Sequence, residues 1–271
     1  VSWQHQNVGA VREMLNGDGM TIAWFCLGSV PLVEIGSRQG ADIALIDFHH
    51  GVWDKLSAQT AISLLVVPAL VRTADASPAR IAEALETGAS GVLIAGTETE
   101  EEVRAAVRAT RFPPEGIRSG GGVRPLSYGF DRYYRDHREP VVGIMIWTKK
   151  GVENAAAIAR VEGVDFLFIG SGDLSLSLGC FPELGGELAS ACQSVLAAST
   201  SNGTPCGLFT GSAEAARQRL ADGYRAVVIA DDAHVVKAGF WSATALVKGE
   251  KPRFQSELGL PLDLGEPEAG A

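Results

Sequence analysis

Cysteine is scarce in this 271-residue chain: four residues, at positions 26, 180, 192 and 206. They show no CxxC or other metal-type spacing. Cys26, Cys192 and Cys206 sit inside apolar runs, which reads as small buried side chains rather than ligands. Reduced thiols fit a cytoplasmic protein. Long hydrophobic runs are missing too. No apolar stretch approaches the roughly 18 to 20 residues that a bilayer span needs, and the first residues carry no signal-like segment, so no membrane association is expected. Positive charge is in the minority. The 23 Lys and Arg against 32 Asp and Glu leave a formal net charge of −9, the wrong sign for nucleic acid, whose phosphates demand a basic surface. A small anionic ligand is not excluded, because one local arginine outweighs a distant acidic surface.

What is present is an alternation of short β-branched runs with longer stretches of helical period. The strands are expected at Thr21–Leu27, Ile43–Phe48, Leu64–Val71, Gly91–Ile94, Val141–Trp147, Asp165–Ile169, Pro205–Thr210 and Ala226–Ala230. Helical stretches such as Pro78–Thr87, Glu98–Arg108 and His234–Val247 lie between them, several ending in Gly or Asn-Gly stops. Eight strands, each followed by a helix, favour parallel pairing and a single (β/α)₈ TIM barrel, a fold that typically takes about 250 residues. The alternative, an open doubly wound sheet, usually carries a glycine-rich turn after its first strand; here that turn reads Leu27-Gly28-Ser29-Val30. The barrel domain is expected over residues 1–253. Residues 110–139, rich in Gly, Pro, Arg and Tyr, form a long connection, and residues 254–271 an acidic, flexible tail. Tyr128, Tyr133 and Tyr134 in the connection suggest either a lid or packing in a subunit interface.

A barrel enzyme keeps its chemistry at the C-terminal ends of the strands. Those ends carry Asp47-Phe48-His49-His50-Gly51, Val71-Arg72, Met145-Ile146-Trp147-Thr148 and Ile169-Gly170-Ser171-Gly172-Asp173. Arg72 suits a two-pronged grip on a substrate carboxylate, or else a structural ion pair with an acid of the barrel wall. His49 or His50 suits a general base near neutral pH. Gly170, Ser171 and Gly172 allow backbone N–H groups close to an anion, while Asp173 would bind a metal or cap the next helix.

The segments Gly170-Ser171-Gly172-Asp173-Leu174-Ser175 and Arg111-Phe112-Pro113-Pro114-Glu115-Gly116-Ile117-Arg118, with Leu45-Ile46-Asp47 leading to His50, resemble motifs of the HpcH/HpaI family of class II pyruvate-dependent aldolases. The resemblance runs from about residue 20 to about residue 248. It implies a barrel assembled as a homo-hexamer with active sites near subunit contacts, and an aldol bond made or broken between pyruvate and an aldehyde with help from a divalent cation. By position it assigns His50 as catalytic histidine, Arg72 as the grip on the 2-oxo acid, Glu86 as partner of that histidine, and Asp173 as one of two acidic metal ligands. Three positions depart from the family pattern. Trp147 stands where the second metal-binding glutamate is found, Met145 where a glutamine is found, and His49 where another glutamate is found. An indole offers only an N–H donor, so Mg²⁺ or Mn²⁺ on Asp173 alone is disfavoured, and a softer metal on His49 and Asp173 is the alternative. The expectation is a lyase for a small carboxylate substrate that works without a tightly bound metal, with Trp147 as an aromatic wall of the site. A pyruvate aldolase with rearranged metal ligands, a dehydratase, decarboxylase or cyclase, and a catalytically silent acid-binding or assembly subunit are the competing readings.

Overall fold

In a computed structural model, which describes residues 7–181 and 185–250, eight parallel strands close into a barrel in sequence order. The strands are β1 (Met20–Phe25), β2 (Ile43–Asp47), β3 (Ala69–Arg72), β4 (Gly91–Ile94), β5 (Val141–Ile146), β6 (Phe166–Ile169), β7 (Cys206–Leu208) and β8 (Ala226–Asp231). Helix α1 (Val8–Asn16) precedes them. Then come α2 (Val30–Gly36), α3 (Lys55–Leu64), α4 (Pro78–Glu86), α5 (Glu100–Thr110), α6 (Val123–Tyr128) and α7 (Phe130–Asp136). The second half carries α8 (Lys149–Glu153), α9 (Ala155–Ala159), α10 (Ser171–Leu178), α11 (Gly186–Ser201), α12 (Ala213–Ala221) and α13 (Asp232–Val247). This is the (β/α)₈ barrel expected from the sequence. The acidic tail from residue 254 lies outside the described residues, as does the boundary drawn at 253. No helix among the described residues is long and apolar enough to cross a membrane.

The period of two along each strand divides the apolar residues between two cores. Met20, Ile22 and Trp24 of β1, Ile43 and Leu45 of β2, and Phe166 and Phe168 of β6 fill the barrel interior. Ala44, Ile46, Val71, Val92 and Ile144 face the helices. Gly143 makes room for this arrangement, since a Cβ there would lie 2.3 Å from the ring of Phe166. Helix α1 closes the N-terminal end: Val11 and Leu15 join the inner core, and Arg12 pairs with Asp165 at 2.6 Å.

The same alternation fixes what crowns the interior. Continuing Ile43 and Leu45 inward by two residues brings in Asp47, and continuing Leu70 brings in Arg72; the two are directly paired in the β2–β3 register. A polar pair therefore lies on top of an apolar column, at the end of the barrel where barrel enzymes keep their sites.

The structure departs from the sequence expectation at three elements. Strand β3 begins at Ala69 rather than Leu64, because α3 runs to Leu64 and Pro68, which has no N–H, contributes only its carbonyl, to Ala44. Asp54 starts α3 through a reciprocal capping box with Ser57. The 110–139 connection is not irregular throughout but carries α6 and α7. Finally, Ser171 to Asp173 form the first turn of α10, not a glycine loop, and Asp173 lies inside that turn instead of capping it.

Candidate active site

A cavity of about 430 Å³ opens at the C-terminal ends of the strands. Its buried side is made by Trp24, Asp47, Arg72, Met145 and Phe168; its open side carries His50, Asp173 and His234.

Asp47 is the hub. Its side chain is fully buried and its oxygens accept from Arg72 Nε at 2.8 Å and Nη2 at 2.5 Å, a two-pronged pair. The backbone N–H of His49 (2.8 Å), the backbone N–H of His50 (3.3 Å) and the indole N–H of Trp24 (3.2 Å) donate to the same carboxylate. Burial alone would raise the Asp47 pKa, but the bonds and charge of Arg72 and the surrounding N–H donors hold it below the usual carboxylate range. Gly51 lets the chain turn tightly over this hub, because a Cβ there would lie 2.1 Å from the Asp47 carbonyl oxygen. Arg72 thus makes the structural ion pair with an acid of the barrel wall. One edge of its guanidinium is fixed to a barrel-wall acid and its plane lies 5.0 Å from the centre of Trp24. The other edge, Nη1, has the thioether sulfur of Met145 as its neighbour at 3.8 Å. A thioether is a weak acceptor, so that edge can still take a substrate oxygen.

His50 reaches into the open side of the cavity, its Nε2 3.9 Å from an Asp173 oxygen. Partial burial, then the charges of Arg72 and His49, lower its pKa from the ordinary imidazole value; Asp173 and Asp47 pull the other way. The net effect favours the neutral imidazole, the form that accepts a proton.

His49 and Trp147 stand beside the cavity and are not among the residues that line it. The His49 ring lies 4.9 Å from that of Trp147, and its Nδ1 is 2.7 Å from the carbonyl of Ala74. Trp147 therefore packs against His49, the two positions at which the resemblance places glutamates. Asp173, Trp147 and His49 do not fit a hard divalent cation such as Mg²⁺. Asp173 supplies one carboxylate and Trp147 no lone pair, so a hard cation would find a single charged oxygen donor here, while His49, with Nδ1 held by the Ala74 carbonyl, keeps only its softer Nε2 available. Among the described residues, no three His, Cys, Asp or Glu side chains converge on one point.

Glu86 is not brought to His50 within the chain. It ends α4, its carboxylate pairs with Lys55, and its carbonyl accepts from Arg124. Arg124 belongs to the connection between α5 and β5, at the opposite end of the barrel. Tyr133 and Tyr134 of that connection lie at the same end. Tyr133 accepts from buried Arg118 at 3.0 Å, and Tyr134 packs edge-on to Phe112 at 4.9 Å.

The sequence reading passed over Asp47 as the partner of Arg72, and Asp231 with His234 altogether. Both signals were available: Asp47 is in inward phase with Leu45, and Asp231-Asp232-Ala233-His234 directly follows a strand, where a barrel keeps its polar residues.

Comparison with known proteins agrees with this geometry. Residues 21–238 match the family model described as HpcH/HpaI aldolase/citrate lyase. A 4-hydroxy-2-oxovalerate aldolase of Rhodococcus jostii (strain RHA1) is 34% identical over 224 residues, 79% of this chain and 85% of that protein. A hydroxypyruvate/pyruvate aldolase of Rhizorhabdus wittichii is 33% identical over 225 residues, 79% of this chain and 88% of that protein. The crystal structure of an HpcH/HpaI aldolase/citrate lyase family protein from Burkholderia cenocepacia J2315 superposes with a TM-score of 0.82 at 30% identity, covering 88% of this chain and 99% of that one. The chain belongs to the HpcH/HpaI aldolase/citrate lyase family.

Proposed function

We propose that the chain is a carbon–carbon lyase that breaks, or forms, the bond between a small 2-oxo acid and an aldehyde, and that Arg72 meets the charge demand a divalent cation meets elsewhere in the family. The observation that carries this reading is the Asp47–Arg72 pair. It holds a guanidinium rigidly at the base of the cavity, with its Nη1 edge toward the space that His50 and Asp173 overlook.

In the cleavage direction, the 2-oxo acid carboxylate and C2 oxygen rest on the Nη1 edge of Arg72. Neutral His50 takes the proton of the C4 hydroxyl. The C3–C4 bond breaks, the C4–oxygen double bond of the aldehyde forms, and the released electron pair becomes an enolate whose charge collects on the C2 oxygen beside Arg72. Asp173 steadies the protonated imidazole, and the proton passes to C3 to complete the 2-oxo acid. Atoms and charge balance, with no oxidant and no cofactor consumed. A cation at the C2 oxygen would contribute several kcal/mol. A guanidinium in a low-dielectric pocket recovers part of that, because charge–charge attraction there is several-fold stronger than in water.

The same reading takes the chain as a homo-oligomer, a hexamer by resemblance. Phe240, Leu246 and Val247, all largely exposed on α13, support a covered face there. A second copy would also be needed to bring any Glu86 to this cavity.

The test is exchange of solvent deuterium into the methyl group of pyruvate and cleavage of a 4-hydroxy-2-oxo acid, by protein treated with EDTA. Both should proceed undiminished, and both should fall at least about 100-fold in Arg72→Ala and His50→Ala. Activity abolished by EDTA and restored by Mn²⁺ would overturn the metal-free reading. Full turnover in both variants would overturn the site.

A further inference from the structure

Resting on that reading, we infer that Asp231 and His234 form the subsite for the aldehyde half of the substrate, and that this subsite selects a neutral, hydroxyl-bearing aldehyde.

The pairing of β1 with β8 is irregular. Ile22 is opposite Val228, but Ala23 is opposite Ala230 and Trp24 is opposite Asp231, so one residue, Ile229, is extra. Without that bulge the alternation would send Asp231 outward; with it, Asp231 falls in phase with inward-facing Trp24. Strand bulges of this kind re-aim side chains beside active sites. Asp231 lines the cavity that holds Arg72 and His50.

There Asp231 makes two bonds. One oxygen accepts from the backbone N–H of His234 at 3.0 Å, capping α13. The other lies 2.7 Å from His234 Nδ1. A buried carboxylate on Nδ1 fixes that nitrogen as the donor and leaves Nε2 for a ligand. The Asp231 side chain is 10% exposed and that of His234 is 43% exposed, so the held group is buried and the working group is reachable. Helix capping explains the first bond, but neither the second nor the bulge.

His234 and Asp231 also line a second cavity of about 230 Å³, which continues past them along Thr210, Ser212 and Glu214. The pair therefore stands where the two spaces meet. A 2-oxo acid seated on Arg72 would extend its far half toward this junction. The chemistry of the lining decides what fits. Glu214 and Asp231 repel a second carboxylate, while the Ser212 hydroxyl and the His234 imidazole suit hydroxyl groups. An apolar aldehyde would leave those groups unpaired, which a site built around hydrogen bonds penalises.

The experiment compares D-glyceraldehyde, propionaldehyde and succinic semialdehyde as partners for pyruvate, and reads binding separately by saturation-transfer NMR of each aldehyde without pyruvate. Wild-type protein should prefer D-glyceraldehyde in both measurements. In H234L the ratio of kcat/KM for D-glyceraldehyde over propionaldehyde should fall at least about fivefold. H234Q, which keeps an amide donor, should recover part of that ratio. A wild-type preference for propionaldehyde or succinic semialdehyde, or a ratio unchanged in H234L, overturns the inference. The pyruvate exchange assay, which needs no aldehyde, reports on the Arg72–His50 reading alone. Failed exchange with a selective NMR response that H234L abolishes would sink that reading and leave the subsite standing.

Discussion

The Asp47–Arg72 pair makes an unequal demand on its two members, and that inequality is measurable. Arg72 is 5% exposed and Asp47 fully buried, so removing either partner leaves a charge in a poorly solvated place, a change that costs about 3–5 kcal/mol in comparable buried pairs. The residual partners differ. In Arg72→Ala, Asp47 keeps three N–H donors, from Trp24, His49 and His50. In Asp47→Ala, those three donors lose their acceptor and the guanidinium is left with the Met145 sulfur at 3.8 Å and the face of Trp24. The loss of stability should therefore lie near the lower end for Arg72→Ala, about 3 kcal/mol, and near the upper end for Asp47→Ala, about 5 kcal/mol. The double variant Asp47→Leu/Arg72→Met, which removes both charges and keeps most of the volume, should be less destabilised than either single variant. Guanidinium chloride unfolding, read as midpoint shifts at constant slope, gives all three values. The reasoning is refuted if Arg72→Ala costs more than Asp47→Ala, if either costs less than about 1 kcal/mol, or if the single losses simply add in the double variant.

His50 lies below the ordinary imidazole value through burial and the charges of Arg72 and His49. The acidic limb of kcat/KM should accordingly fall below about pH 6.5 and move lower still in Asp173→Asn, which removes an opposing carboxylate; an upward move refutes the assignment. His137 is held neutral by burial, then by Arg118, with its pKa pushed down to about 4. The unfolded chain titrates near 6.5, so it binds more protons between the two values. Stability is then full above about pH 6.5 and declines as pH falls toward 4, by on the order of 3 kcal/mol; His137→Gln should flatten that slope in unfolding measured at pH 7 and pH 4.5. Trp147→Glu returns an oxygen donor to the end of β5, beside Gly170, whose N–H bonds Ile146 at 3.1 Å. It should tighten Mn²⁺ binding at least about tenfold by calorimetry, and no change would show that Trp147 is not what weakens the site.

The barrel was legible because each strand repeats a two-residue pattern and the intervening helices carry stops and caps that need no tertiary information. The start of β3 was not, because the apolar run from Leu64 to Val67 reads equally as strand or as a helix end, and the Asp54 cap that settles it lies ten residues upstream. His50, Arg72 and Asp173 were legible as residues at strand ends. Which edge of Arg72 remains available was not, since that depends on the β2–β3 register that sets Asp47 beside it. Glu86 was assigned from resemblance alone; its place at the end of α4 already puts it at the far rim within one chain. Asp231 was legible as a polar residue at a strand end, but its inward direction was not, because the bulge that sets it is a property of two strands.

The His49 and Trp147 positions follow from charge. Asp47 is paired with Arg72, which leaves Asp173 and Asp231 as the other acids lining the cavity. Glutamates at 49 and 147 would place two further negative charges beside a site that, in the proposed reaction, accepts a carboxylate and then an enolate. With a doubly charged ion between them those charges are neutralised; without it, each like charge at roughly 4–8 Å would oppose the substrate by about 2–4 kcal/mol at an effective dielectric constant near 20. Exchanging either acid alone would still leave one uncompensated charge. Exchanging both for rings that stack on each other, 4.9 Å apart, removes the repulsion and fills the space. On the metal-free reading proposed above, the two changes are therefore one electrostatic event, and they make an arginine-based site workable only as a pair.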